Sequence, residues 1–494
     1  MKNKKTALMF LLAVVLLAAG MTACGGDGDA ANDTENAGTQ AETTVETEPL
    51  DELEARKLVD DGMGTKDFGG EDFRILTSDG GTGYLYVEET TGDIVDDAIW
   101  TRNTNVEERF NVNINVIYDA SYSDSSKYLT NLISAGEDAI DLVCMQVVEM
   151  GMLALSDYYM NWYDIPNINF EQPWWSDSTI DCLTYAGVCP IAIGDMVISA
   201  MSGTYCVYYN KSLAANYDLP NMYDVVNEGK WTLDYLIGIT KGIYADLNQN
   251  GTADAEDLYG YSSDARSNMD AFLWAFDNPI FTKKGDELVY TDKTEKLNEI
   301  VTKLVDTFSQ YEGISTDFTG GFNYSINLFS ESRSVFSNGT VGASLWATSD
   351  LDDDMGFLPY PKWEEAQSSY YTMVDGSHQA LAVPVTASNL EMIGTVTEAM
   401  NAESWKLIVP AYYDTALKVK ATRDEESIAM LDLIMASRKF DFGYIYDSWE
   451  GSSFILEKLV REKNTNFESY YAKQEKSITA HYDSVIEYFA NYEG

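Results

Sequence analysis

Twelve consecutive residues near the middle of the chain are spaced to hold a cation. Asp246-Leu247-Asn248-Gln249-Asn250-Gly251-Thr252-Ala253-Asp254-Ala255-Glu256-Asp257 follows D-x-N-x-N-G-x-x-D-x-x-D, the order of an EF-hand-type calcium loop. In such a loop Asp246, Asn248 and Asn250, the carbonyl of Thr252 and the carboxylate of Asp257 converge on one ion, and Gly251 permits the turn. Aspartate stands where a bidentate glutamate is usual, and two early ligands are neutral amides. The expected affinity is therefore low, in the extracellular range of ~10⁻⁴–10⁻³ M, and the expected role structural. An Asx-rich turn without an ion is the plainer alternative. Histidine chemistry is nearly absent: the chain has only His378 and His481. There is no HExxH, and a serine triad would have to use one of two lone imidazoles. No GxxxxGK loop occurs and no GxGxxG follows a strand, which leaves carboxylate-only catalysis of the glycosidase kind as the enzymatic option. His378, in Asp375-Gly376-Ser377-His378-Gln379, reads first as a structural loop residue and second as a ligand contact.

The composition narrows the partners. Asp and Glu number 80 against 32 Lys and Arg, a net charge of −48. Polyanions are repelled, so nucleic acid is excluded and neutral or cationic ligands are suited. The chain is also aromatic-rich, with 33 Tyr, 19 Phe and 10 Trp. Sugars lay C–H faces against aromatic rings and need paired acceptors and donors for their hydroxyls.

The elements that must position these residues are α/β in kind. A length of 494 residues suggests two or more domains. Phe73-Arg74-Ile75-Leu76-Thr77 reads as a strand, 92–110 as a helix with a stripe at Val95, Ile99, Val106 and Phe110, and Val112, Ile114 and Val116 as a second strand. A helix over 125–135 and a buried-type strand over 140–145 follow. Strand, helix, strand, helix, strand implies a parallel sheet with right-handed crossovers. Further on, 204–209, 341–346, 355–358 and 380–384 read as strands. Leu297, Ile300, Val301, Leu304, Val305 and Phe308 mark an amphipathic helix with Asp292 and Glu295 at capping-box spacing. The remainder is mostly helical, ending in a long helix from Phe467.

The N-terminus carries an address. Met1-Lys2-Asn3-Lys4-Lys5 precedes an apolar run too short to span a bilayer comfortably, which reads as an export signal. Small residues before Cys24 resemble a bacterial lipobox, so Cys24 is expected to be lipidated. Residues 25–55 contain ten acids and no Lys or Arg, a composition that cannot bury a core. The segment 24–65 is expected to be a disordered tether with a reach of about 35 Å. Of the remaining cysteines, Cys182 and Cys189 are best spaced to pair in an exported chain, and four free thiols, Cys144 and Cys206 among them, are the alternative.

This order of features resembles the extracellular solute-binding proteins of bacterial ABC importers, in the long lipoprotein form of their maltose-binding-protein-like carbohydrate family. The local matches are Phe68-Gly69-Gly70-Glu71-Asp72-Phe73-Arg74-Ile75-Leu76; Gly92-Asp93-Ile94-Val95-Asp96-Asp97-Ala98 with Arg102-Asn103 and Val106-Glu107-Glu108-Arg109-Phe110-Asn111-Val112; Val207-Tyr208-Tyr209-Asn210-Lys211; Phe336-Ser337-Asn338-Gly339 with Gly342 and Trp346; and Leu358-Pro359-Tyr360-Pro361-Lys362. They span 68 to about 455. The resemblance implies a two-lobe, type II periplasmic-binding-protein-like fold with a helical C-terminus. Lobe one would comprise 66–192 plus 370–425, and lobe two 193–369 plus 426–494, closing on ligand by hinge bending. It also implies site residues. Trp346 and Trp449 match sugar-stacking positions, Trp274 lies near a third, Asp195 is similar to the cleft carboxylate, Gln146 stands at a ligand-facing turn, and Trp174 and Trp175 would rim the cleft.

Together these features imply a lipid-anchored, monomeric binding protein on the outer face of a Gram-positive membrane, delivering an oligosaccharide to ABC permease subunits without catalysis. The rivals are a surface-anchored carboxylate-pair glycosidase, a surface glycan-tethering protein, and a binder of a different solute such as a peptide.

Overall fold

The computed structural model describes residues 52–264, 267–284, 287–291, 294–317, 323–349, 351–420, 424–447 and 451–492. The export signal, Cys24 and the tether up to residue 51 lie outside them, as do Asp292 and Trp449.

The first lobe forms because each helix has a sequence-coded start and stop. Glu71–Ser78 (β1) buries Phe73, Ile75 and Leu76. Asp93 accepts the N–H of Val95 at 2.9 Å and caps Ile94–Phe110 (α1), which Asn111 ends in the left-handed conformation at φ 49°. Val112–Ala120 (β2) runs parallel to β1. Ser121 caps Tyr122–Ala135 (α2), Gly136 ends it at φ 70°, and Leu142–Gln146 (β3) lies parallel on the other side of β1. The β3–β1–β2 order is the expected crossover unit.

The second lobe has its own sheet. Its strands are Tyr205–Asn210 (β4), Tyr244–Ala245 (β5), Leu258–Asp264 (β6), Ile314–Asp317 (β7), Ser334–Thr340 (β8) and Met355–Leu358 (β9), ordered β9-β4-β8-β6-β5 with β7 also beside β6. The pairs β6–β8 and β6–β7 are parallel, whereas β4 is antiparallel to β8 and β9. Ser267–Ala275 (α3) and Glu295–Gln310 (α4) cover it. The apolar stripe of α4 is buried as its spacing predicts. Its cap is Thr294, whose hydroxyl accepts the Leu297 N–H at 3.0 Å.

The expected strand over 341–346 is not one. After β8 the backbone N–H groups of Ala343, Ser344 and Ala347 turn back to Thr340, Val341 and Ala343, so Ser344–Ala347 is a helical turn. Alternating Val341, Ala343 and Leu345 mimic a strand, but local hydrogen bonds use the groups a ladder would need.

The chain then returns. Gln379–Ala382 pairs antiparallel with β3 and completes a four-stranded sheet. Leu390–Val409 (α5) packs on α1 and continues into a π-type turn over Pro410–Lys420. Ile455–Arg461 (α6) and Phe467–Ala490 (α7) both pack on α4. Segments crossing between the lobes run side by side: Thr204 bridges Val374, the Asp375 N–H donates to Gly203 O at 2.8 Å, and Thr372–Met373 pairs with Arg438–Lys439.

The tether boundary needs correction. The expected limit at residue 65 is too late, because Glu52–Lys57 is already helical. The Arg56 guanidinium sits over the Trp405 ring, and buried Asp61 pairs with Arg109 at 2.6 Å. Of the two readings left open for the cysteines, the structure has the thiols: Cys144, Cys182, Cys189 and Cys206 are all unbridged. Cys182 Sγ donates to Phe440 O and Cys189 Sγ to Ile191 O, each at 3.2 Å. Among the described residues no helix is long and apolar enough to cross a membrane.

Candidate functional site

In an α/β sheet, ligands gather beyond the carboxyl ends of parallel strands, where the loops leave a crevice. Here both sheets aim those ends at one cleft of about 930 Å³. From lobe one, Asp79 follows β1, Tyr122 follows β2 at the start of α2, and Gln146 ends β3. From lobe two, Asp264 ends β6, while Asn338, Gly339 and Thr340 end β8. The crossing segment contributes Asp375, Gly376 and Ser377, and the C-terminal region contributes Tyr444, Phe454, Glu457 and Lys458.

The local chemistry is held in place by short-range bonds. Asp79 adopts φ 54°, an uncommon conformation that aspartate tolerates better than most residues. Its carboxylate accepts Gln146 Nε2 at 3.0 Å and the Tyr122 N–H at 3.3 Å. Two residues on, Gly81 is required by close approach: a Cβ there would lie 1.9 Å from Gln379 Nε2. Asp375 accepts the Tyr205 hydroxyl in a short bond, and the Ser377 N–H at 2.8 Å. Tyr444 OH accepts the Gly376 N–H at 3.0 Å, and a Cβ on Gly376 would meet that oxygen at 2.5 Å. Burial pushes the Asp264 carboxyl up to about 6, against hydrogen bonds from Ser325 and Asn268. Tyr122 is 47% exposed, a free aromatic face on the lobe-one wall.

The expected site residues distribute unevenly. Gln146 lines the cleft. Trp346 is 55% exposed, in the helical turn that begins one residue after the cleft-lining Ala343. Trp449 lies outside the described residues. Trp174 and Trp175 are buried inside lobe one, where their indole N–H groups donate to the two oxygens of Glu398, each at 2.9 Å. That places them in the core instead of on the rim. Trp274 is also buried, donating to Asp441 Oδ2 at 2.9 Å. It borders a separate cavity of about 270 Å³ that shares no lining residue with the cleft. Asp195 is half-buried beside Trp174, its N–H donating to Trp174 O at 3.0 Å. Burial pushes its carboxyl up to about 7 despite Arg438 and Arg56, and it does not line the cleft.

The EF-hand-like segment forms a compact loop on lobe two. Asp246 Oδ2 accepts the Gly251 N–H at 2.9 Å, Gly251 has φ 74°, and Asp254 Oδ2 accepts the Asn250 amide at 2.7 Å and that of Asn248 at 3.2 Å. Asp257 faces inward, accepting Tyr244 OH at 2.9 Å and the Leu247 N–H at 3.1 Å. The donor set is of hard oxygens in the order calcium takes. An ion at this position would take oxygens from Asp246, Asn248, Asn250, the Thr252 carbonyl and Asp257, but Asp257 is committed to Tyr244, Leu247 and Asp254, and among the described residues no three acidic, His or Cys side chains are grouped as a metal site.

Comparison with solved structures shows the same two-lobe architecture elsewhere. An ABC substrate-binding protein from Listeria monocytogenes, solved in complex with cycloalternan, matches at a TM-score of 0.53 with 13% identity, covering 85% of this chain and 98% of its own. An ABC transporter solute-binding protein from Thermotoga lettingae, bound with alpha-D-tagatose, matches at 0.53 with 12% identity, covering 85% and 100%. No protein-family model and no curated protein sequence matches the chain. The likeness is one of fold, the type II solute-binding architecture with mixed sheets flanked by helices.

Sequence reasoning missed Asp79, Tyr122, Asp264, Asp375 and Tyr444. Asp79 was within reach, since it stands just beyond the carboxyl end of a strand read correctly. Asp264 and Asp375 needed the fold of lobe two and the path of the crossing segment.

Proposed function

We propose that this chain is a carbohydrate-binding lipoprotein that delivers its ligand to an ABC importer. The observation that carries the reading is the interlobe cleft, where carboxylates, amides and hydroxyls from both lobes converge with tyrosine and phenylalanine rings. That combination suits a polyhydroxylated ligand. Neighbours of the same fold were solved in complex with cycloalternan and bound with alpha-D-tagatose. Release to a permease needs no covalent step, and Cys24 would anchor the chain at the outer face of the membrane.

The test is calorimetry and thermal shift of the full chain against mono- and oligosaccharides, amino acids and peptides. One sugar class that stabilises the protein and is recovered intact supports binding and transport. Consumption of that sugar would replace the reading with a glycosidase, and stabilisation by peptides alone would replace the ligand class. Trp346→Ala should weaken sugar binding at least about tenfold and leave the melting temperature nearly unchanged, because the ring is exposed. Unchanged affinity removes Trp346 from the site.

The 246–257 loop is proposed to hold a structural calcium ion. Millimolar calcium should raise the melting temperature by mass action, and Asp246→Ala should abolish the rise. A wild-type melting curve indifferent to calcium would retire the ion.

A further inference from the structure

The cleft has an inner annex. A chamber of about 320 Å³ adjoins it through Asp79, Gln146, Thr340, Asp375 and Ser377, which line both spaces. The crossing segments form its back, at Ser199, Gly203, His378 and Gln379. His378, Gln379 and Ser78 are only 3%, 4% and 2% exposed, and each carries one side-chain atom without a partner: Nε2, Oε1 and Oγ. Buried polar atoms are seldom left unpaired; these three are closed to solvent, so they set the polarity of the wall from behind its surface.

Their chemistry has a sign. His378 Nδ1 lies 2.6 Å from the Asp375 carbonyl oxygen, which can only accept, so Nδ1 carries the proton and Nε2 presents a lone pair. Burial pushes this imidazole down to about 4, so it stays neutral at physiological pH. Gln379 Nε2 already donates to Thr77 Oγ1 at 3.2 Å, leaving Oε1 as an acceptor. The main cleft has the same polarity. Among the described residues, Asp79, Glu149, Asp264, Asp375 and Glu457 line it with the ammonium of Lys458, and Glu457 is paired with Arg461. Several cleft donors are already committed: Gln146 to Asp79, Asn268 to Asp264, and Asn338 to Ser263.

We propose that the ligand is a non-anionic carbohydrate rich in hydrogen-bond donors, and that one sugar unit with free hydroxyls enters the inner chamber and donates to the Asp79 and Asp375 carboxylates, which line both spaces. This inference rests on the carbohydrate reading of the cleft. Neutral and protonated amino sugars share the required chemistry. A uronate or phosphorylated unit brings acceptors and negative charge to a wall made of both, and is rejected.

The experiment is calorimetry of the full chain at pH 7 against three sets of oligosaccharides: neutral (gluco-, manno-, xylo- and galacto-oligomers), acidic (oligogalacturonides) and cationic (chitosan oligomers). The expected result is binding in the neutral or cationic set, with every acidic oligomer at least about tenfold weaker. Asp79→Asn, which retains a residue tolerant of the backbone conformation, should narrow that gap. For the sugar that binds, a version O-methylated on its end units keeps its ring and acceptors but loses its donors, and should also bind at least about tenfold more weakly. This ligand-side variant needs no change to the buried crossing segment. Acidic oligomers binding as tightly as neutral ones would overturn the charge claim and leave the carbohydrate reading standing. Equal binding of the O-methylated sugar would overturn the chamber claim alone. Silence from all three sets would overturn the carbohydrate reading, and this inference with it.

Discussion

Replacing Glu398 with leucine should lower the unfolding free energy by at least roughly 3 kcal/mol, because it leaves three buried donors without an acceptor and each contributes about 1–3 kcal/mol. The carboxylate is fully buried in α5 and accepts the indole N–H groups of Trp174 and Trp175, with the Asn169 N–H at 3.3 Å on Oε2. A leucine of similar volume fills the space but orphans all three donors. Removing one side of a buried polar cluster is far more damaging than removing both. The pH dependence gives a second readout. Burial raises the Glu398 carboxyl from its ordinary 4.5 to about 7. Between those values the folded state holds a proton that the unfolded state has released. The contribution of this group is therefore greatest below pH 4.5 and fades as pH rises towards 7. Wild type should lose stability along that interval, and the leucine variant should lack this component of the slope. Urea melts of both proteins at several pH values measure it, and indistinguishable midpoints would refute the assignment.

Asp375→Asn should weaken ligand binding about 10- to 100-fold, as expected when a charge-assisted hydrogen bond worth about 1.5–3 kcal/mol is reduced. Asp375 lines both the cleft and its inner chamber, and Tyr205 and Ser377 fix its carboxylate. Tyr205→Phe removes one of those fixing bonds without touching the charge, so it should produce a smaller loss. Titration calorimetry with the sugar found in the screen ranks the two. Equal losses would mean that orientation matters as much as charge, and no loss in Asp375→Asn would take the residue out of the site.

The sequence was most informative where a single side-chain pattern decides the outcome. Phe73, Ile75 and Leu76 sit in a strand because an apolar run bounded by turns has few alternatives, and the α4 stripe from Leu297 to Phe308 can only bury one face. It misled where two outcomes share a pattern. Tryptophan suits a sugar platform and a core equally well, and the choice for Trp174, Trp175 and Trp274 was made by Glu398 and Asp441, acids distant in sequence that accept their N–H groups. Likewise 341–346 alternates like a strand but turns at Gly342, where a Cβ would collide with Ser202 Oγ at 1.9 Å. The wall residues Asp264 and Asp375 become visible only after two sheets and a crossing segment have been folded together.

The crossing segment gives this arrangement a mechanical character. Asp375 is tied to Gly203 on the neighbouring crossing segment and also faces the ligand space. A ligand that gripped it, as proposed, would act close to the axle between the lobes, while Tyr122 and Asn323 lie further out along the cleft on either lobe. Near a pivot the lever arm is short. If the lobes close about that axle, a small shift at Asp375 would correspond to a larger sweep at the rim, so an occupant of the innermost chamber would set how far the jaws travel and rim contacts would refine it.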